Sequence, residues 1–182
     1  KSIRKKIKMY TYARVKEMLQ QMVALGTEPE FNIYLYDKDY MIIGYADHYS
    51  FQRCGKETEQ SGEIDFSSLD ELYHAVAIDS VCLEKDWHNI ETMGFPGIDD
   101  EEDYQGYIKF LEDRHKPFSE VRPNLAREWD YERNKPLTPA DIETGSDKKV
   151  WWQCPQGHKY RESPSSRYMF ENSCPICYES KT

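Results

Sequence analysis

The sequence predicts an α+β fold: a small antiparallel β-meander with covering helices, followed by a smaller C-terminal module. Three observations predict it. FNIYLY (31–36) and YMIIGYA (40–46) are rich in aromatic and β-branched residues and lie close enough to pair as a hairpin. Neighbouring stretches instead repeat their apolar residues at helical spacing. Beyond Pro117 and Pro123, two short Cys/His pairs occur at 154–158 and 174–177.

Tyr12, Val15, Met18, Leu19, Met22 and Val23 predict a helix from about Thr11 to Leu25, stopped by Gly26. Asp37, Lys38 and Asp39 are expected to turn the hairpin. HYSFQRC (48–54) and Glu63 to Phe66 read as a third and a fourth strand. Ser68 and Glu71 have capping-box spacing and start a short helix through His74. A strand is expected at Val81 to Leu83, a helix at Lys85 to Glu91, and a longer helix from Asp100 to His115. The boundaries that follow are a basic leader at 1–8, an α+β domain with an acidic middle at 9–116, a linker at 117–123 and a second domain at 124–182.

Of the 182 residues, 38% are hydrophobic and 31% charged, which is polar for a globular protein; the 14 tyrosines and four tryptophans still supply core material and argue against wholesale disorder. No apolar run has bilayer-spanning length and no signal-peptide pattern opens the chain, so no membrane partner is expected. Five cysteines in no disulfide-like framework point to a reducing cytoplasm. The net charge of −9 is unevenly spread. Residues 1–56 carry ten Lys/Arg and six Asp/Glu; residues 57–117 carry four and seventeen; residues 118–182 carry ten of each. The acidic middle peaks at Asp99, Asp100, Glu101, Glu102 and Asp103 and is either a solvated face or a surface for a basic partner.

Cys154 and His158 are separated by three residues, Cys174 and Cys177 by two, and fifteen residues lie between the pairs. Structural zinc takes four soft or borderline ligands in a tetrahedron, and a Cys₃His set supplies them with no open position. The prediction is one structural Zn²⁺ and a C-terminal zinc ribbon. Cys54 and Cys82, in apolar runs, read as buried thiols.

Around these ligands, residues 122–182 resemble a bacterial family of zinc ribbons found beside nuclease-like domains in phage and mobile-element proteins. The resemblance rests on Leu125, Glu128, Trp129, Asn134, Pro139, Ser146, the run from Lys149 to Cys154, Gly157, His158, Tyr160, Arg167, Cys174 and Cys177. It departs at Tyr160, where the family has tryptophan, and at Tyr178, where small residues are common. Residues 9–116 bear a looser similarity to small accessory proteins of Firmicute mobile elements.

The resemblance implies nucleic-acid work. Lys148, Lys149, Trp151, Trp152, Lys159, Arg161 and Arg167 interleave cations with aromatics, as phosphate contact and base stacking require. The alternative is a tryptophan packed under the zinc among solvated cations. No phosphate loop, nucleophile elbow or HExxH helix is present. Glu63 and Asp65 alternate on one strand face, but no lysine completes a nuclease set. The expected function is therefore non-enzymatic: a mobile-element inhibitor of a defence nuclease, in particular a Cas9-type anti-CRISPR protein whose acidic face binds the effector's basic channel, with DNA as a further partner. The alternatives are a zinc-ribbon DNA- or RNA-binding accessory module and, more remotely, a nuclease subunit.

Overall fold

A computed structural model describes residues 9–55, 62–170 and 174–179; the basic leader at 1–8 lies outside them. The chain divides into two compact units, residues 1–104 and 105–182.

In the first unit, α1 (Tyr12–Ala24) starts at Thr11, whose side chain accepts the Arg14 N–H. It ends at Gly26, where φ is 75° and the N–H reaches the Val23 carbonyl. Its inner face is Val15, Met18, Leu19 and Met22. Strands β1 (Glu30–Leu35), β2 (Lys38–Gly44), β3 (Tyr49–Arg53) and β4 (Glu63–Phe66) form a meander, as expected. The first hairpin turns at Tyr36 and Asp37, with φ of 53° and 58°, one step earlier than the charges suggested. Two consecutive positive values are what a two-residue hairpin turn demands. Phe31, Ile33 and Leu35 alternate inward opposite Tyr40 and Ile42. Gly44 lets α1 come close, because a Cβ there would lie 2.7 Å from Val23 Cγ2.

Helix α2 (Leu69–His74) is capped by Ser68 as its spacing predicted, while the Glu71 carboxylate reaches back to Ser67. The expected strand at 81–83 is absent. A 3-10 turn at Ile78–Ser80 leads instead into α3 (Leu83–Asp86) and a second 3-10 turn at Trp87–Asn89. The Asp86 carboxylate accepts the Cys82 N–H at 2.8 Å, so this apolar run is a buried helix start. The chain then adds β5 (Thr92–Gly94), which the sequence did not predict, to β1. The finished sheet has the order β4-β3-β2-β1-β5 and is antiparallel throughout.

At one end of this sheet the Asp79 side chain is largely buried, with its carboxylate 3.1 Å from Lys38 Nζ and 3.5 Å from Arg53 Nη1; it also accepts the Tyr40 hydroxyl at 3.0 Å. Burial alone would raise its pKa, but the hydrogen bonds from Lys38 and Tyr40 and the nearby Arg53 charge hold it below the ordinary carboxylate value. A carboxyl depressed in the folded state stabilises the fold above its unfolded pKa of about 3.9, and that contribution is lost as pH falls through the folded value. Asp79→Asn keeps a residue tolerant of the left-handed φ of 57° and removes the charge. The urea midpoint of this variant is expected to lie below wild type at pH 7, with the gap narrowing steadily below about pH 4. A gap independent of pH would show that the charge contributes nothing.

Helix α4 (Glu101–Asp113) crosses the boundary between the units. In the second unit, residues 117–123, expected as a linker, carry α5 (Phe118–Val121) and the start of α6 (Pro123–Ala126). Phe118 is fully buried and its N–H bonds the Ile142 carbonyl. The hairpin β6 (Val150–Gln153) and β7 (Lys159–Glu162) follows, then α7 (Pro164–Phe170) and α8 (Pro175–Glu179). Trp152 centres the core, with Trp129 edge-on at 5.4 Å and Phe118 tilted at 5.3 Å.

Candidate metal centre

The tip of the β6–β7 hairpin is a tight knuckle. The Cys154 N–H bonds the His158 carbonyl at 3.0 Å, and the Gly157 N–H bonds the Cys154 carbonyl at 2.8 Å. Gly157 has a φ of 82°, which its lack of a Cβ permits. The second ligand pair opens α8: Cys174 precedes Pro175, its carbonyl accepts the Tyr178 N–H, and Cys177 lies within the helix. Pro at the first helical position has no N–H to leave unpaired.

The knuckle and the helix start bring Cys154, His158, Cys174 and Cys177 together, with all four ligand atoms within 4.8 Å of one another. Cys154 Sγ lies 3.7 Å from His158 Nδ1 and 3.8 Å from Cys177 Sγ, and His158 Nδ1 lies 3.2 Å from Cys177 Sγ. Zinc–sulfur and zinc–nitrogen bonds of ordinary length in a tetrahedron require separations of about 3.8 Å for S···S and about 3.6 Å for S···N. The two Cys154 edges match that polyhedron and the His158–Cys177 edge is about 0.4 Å shorter, with Nδ1 as the histidine donor.

The close packing of the site shifts two of its thiols in opposite directions. Burial raises the Cys154 pKa, but the backbone N–H groups of Gln156 and His158 and the neighbouring thiols outweigh it and bring it below the usual value. Burial and the adjacent Cys154 and Cys174 sulfurs push Cys177 up to about 11. A divalent ion at the centre of such a cluster deprotonates the thiols that bind it. Four protein ligands leave no coordination position for water or substrate, so the zinc is structural.

Residues 125–180 match the family described as a probable treble clef zinc finger domain. This segment holds all four ligands. No curated protein and no solved structure matches the chain. The treble clef description suits the two halves of the site, one a hairpin knuckle and the other a helix N-terminus.

The structure of this segment separates the residues expected to touch nucleic acid. Alternation along β6 buries Val150 and Trp152 and turns Trp151 and Gln153 outward. Trp152 is fully buried, with its indole N–H on the Glu162 carbonyl at 2.9 Å. Arg167 is equally buried: it pairs with Glu128 at 2.8 Å, donates to the Tyr160 hydroxyl, and lies 4.9 Å from the centre of the Trp152 ring. These two are core residues, a correction to the sequence reading. Lys159 is exposed but tied at 3.0 Å to the buried Asp130. Lys148, Lys149 and Arg161 are exposed and form no ion pair with a described residue, and Trp151 is half-buried.

Two further residues were missed. Arg133 packs over Trp151, with its guanidinium 4.4 Å from the ring centre. The Asn134 carboxamide bonds both backbone groups of Trp151, at 2.7 and 2.8 Å, and so occupies the edge of β6 as a strand would. The resemblance had marked Asn134 without a role for it.

The acidic run of the first unit forms the start of α4. Asp100 accepts the Asp103 N–H, Asp103 accepts the Asp99 N–H, and Glu101 pairs with Arg14 at 2.6 Å. Acids in the first turn also complement the helix dipole. Glu63 and Asp65 are exposed on the edge strand β4, near Tyr45 and His48 respectively.

No described helix is long and apolar enough to cross a membrane.

Proposed function

We propose that the zinc-bearing unit is a nucleic-acid-binding accessory module and that the chain works by binding, not catalysis. One observation carries this reading. The outer face of the β6–β7 hairpin presents Lys149 and Arg161 beside Trp151, with Lys148 adjoining, while acids of the same unit are engaged internally: Asp113 with Lys109 and Lys116, Asp130 with Lys159, and Glu128 with Arg167. A unit of 13 basic and 12 acidic residues thereby offers a locally positive face. Each cation placed on a phosphate releases condensed counterions, which gives affinity without base specificity. The metal's part is to hold the hairpin and α8 in place.

A second reading is inhibition of a Cas9-type or other defence nuclease. It is favoured by the exposure of all five residues from Asp99 to Asp103, within a segment (57–117) of four basic and seventeen acidic residues. Such a surface suits the positively charged channel of such an effector.

One experiment addresses both. Binding of the zinc-loaded protein to labelled DNA and RNA is followed over a salt series, and a parallel lane follows cleavage by a guide-loaded Cas9-type nuclease. Affinity is expected to fall steeply with salt, and neutralising Lys148, Lys149 and Arg161 together should flatten the slope by about 2. Binding that is absent, or unaltered by the triple variant, overturns the nucleic-acid reading. Dose-dependent loss of cleavage without DNA binding transfers the assignment to the inhibitor.

A further inference from the structure

Resting on the nucleic-acid reading, we infer that Trp151, backed by Arg133 and flanked by Arg161, is a base-stacking platform that selects single-stranded nucleic acid over duplex.

The argument begins with where the ring sits. Trp151 and Arg161 are direct cross-strand partners on the face of the hairpin opposite the core. Arg161 is 5.8 Å from the ring centre and Arg133, arriving from a separate turn, is 4.4 Å away. A large aromatic left partly exposed among cations is not explained by packing alone, since Trp129 and Trp152 already fill this unit's core. Nor is its position loose, because Asn134 and Asp130 hold its backbone groups. The ring is presented from a fixed strand.

This arrangement fits an unpaired base. Every base has a π-face, and aromatic rings and guanidinium planes both stack on it. Arg161, the farther of the two cations from the ring, exchanges its hydrogen bond to the Lys149 carbonyl (3.1 Å) for the flanking phosphate and yields its place over the ring to the base; Arg133 stays as the backing. Lys148 and Lys149 take the next phosphates along the strand. In a duplex the bases are already stacked on one another, so only the phosphate contacts remain available.

The test uses the full zinc-loaded chain with a fluorescently labelled single strand of about 12 nucleotides, and with its duplex, measured by anisotropy at fixed salt. Trp151→Leu keeps the backbone bonds to Asn134, and one zinc per chain confirms that the variant is folded. It is expected to lose about 5- to 150-fold on the single strand and less than about 2-fold on the duplex, with Trp151→Phe recovering much of the loss. The control Lys148→Gln/Lys149→Gln is expected to weaken both substrates alike. If Trp151→Leu binds both substrates as wild type does, or loses equally on both, the stacking platform is overturned while the phosphate face stands. Wild-type protein that binds neither substrate overturns the platform and the nucleic-acid reading together.

Discussion

Substituting serine for Cys174, or removing the metal with a strong chelator, is expected to unfold the C-terminal unit while the first unit keeps its structure. The helix that follows Cys174 and carries Cys177 has only five residues, too few to persist in water unaided. Its ligand cysteines are themselves part of the core around Trp152. Structural zinc in small domains contributes on the order of 10 kcal/mol of binding free energy that is also folding free energy. Few small cores could absorb such a loss. Limited proteolysis is the direct measurement: chelated protein should be cut at many points between 125 and 180, while the sheet of the first unit stays resistant. Chelated protein that keeps both its protease pattern and its thermal transition would disprove the structural role. Cys54→Ser and Cys82→Ser, which leave the ligand set intact, serve as controls and should not change zinc content.

The sequence made this site legible because zinc ligation depends on residue type and spacing, both of which are printed in it. The meander was legible for a related reason: β1 and β2 lie in runs dense in aromatic and β-branched residues with a charged turn between them. The failures are short. Val81 to Leu83 is three apolar residues, which no period can assign to strand or helix. The three residues of β5 include a glycine and were passed over. The choice between Trp151 and Trp152 was within reach: Cys154 must face the metal and core, side chains alternate along a strand, and Trp152 shares its parity while Trp151 does not. Asn134 and Arg133 were out of reach. They act on Trp151 from 17 and 18 positions away, Asn134 through backbone groups that any residue would offer.

Arg167 shows most sharply what spacing alone cannot tell. In sequence it is one more cation near two tryptophans; in the structure only 1% of its side chain is exposed. Its guanidinium joins Glu128 and Tyr160 and lies over the Trp152 ring, linking α7 to β7 and to the turn that follows α6. Removing one member of a buried ion pair leaves the other desolvated and unpaired, at a cost of about 3–5 kcal/mol. Arg167→Met is expected near the lower end of that range, because Glu128 retains some contact with solvent. Adding Glu128→Leu should restore much of the loss, since two apolar groups need no partner. Arg167→Lys should not rescue, because an ammonium cannot span carboxylate and phenol with a planar fork. Denaturant midpoints of the four corners of this cycle measure the coupling, and zinc content reports whether each protein is assembled. If Arg167→Met is as stable as wild type yet binds nucleic acid more weakly, Arg167 belongs to the binding face after all. A destabilised single variant whose double partner recovers both stability and binding places it in the scaffold that aims Trp151 outward.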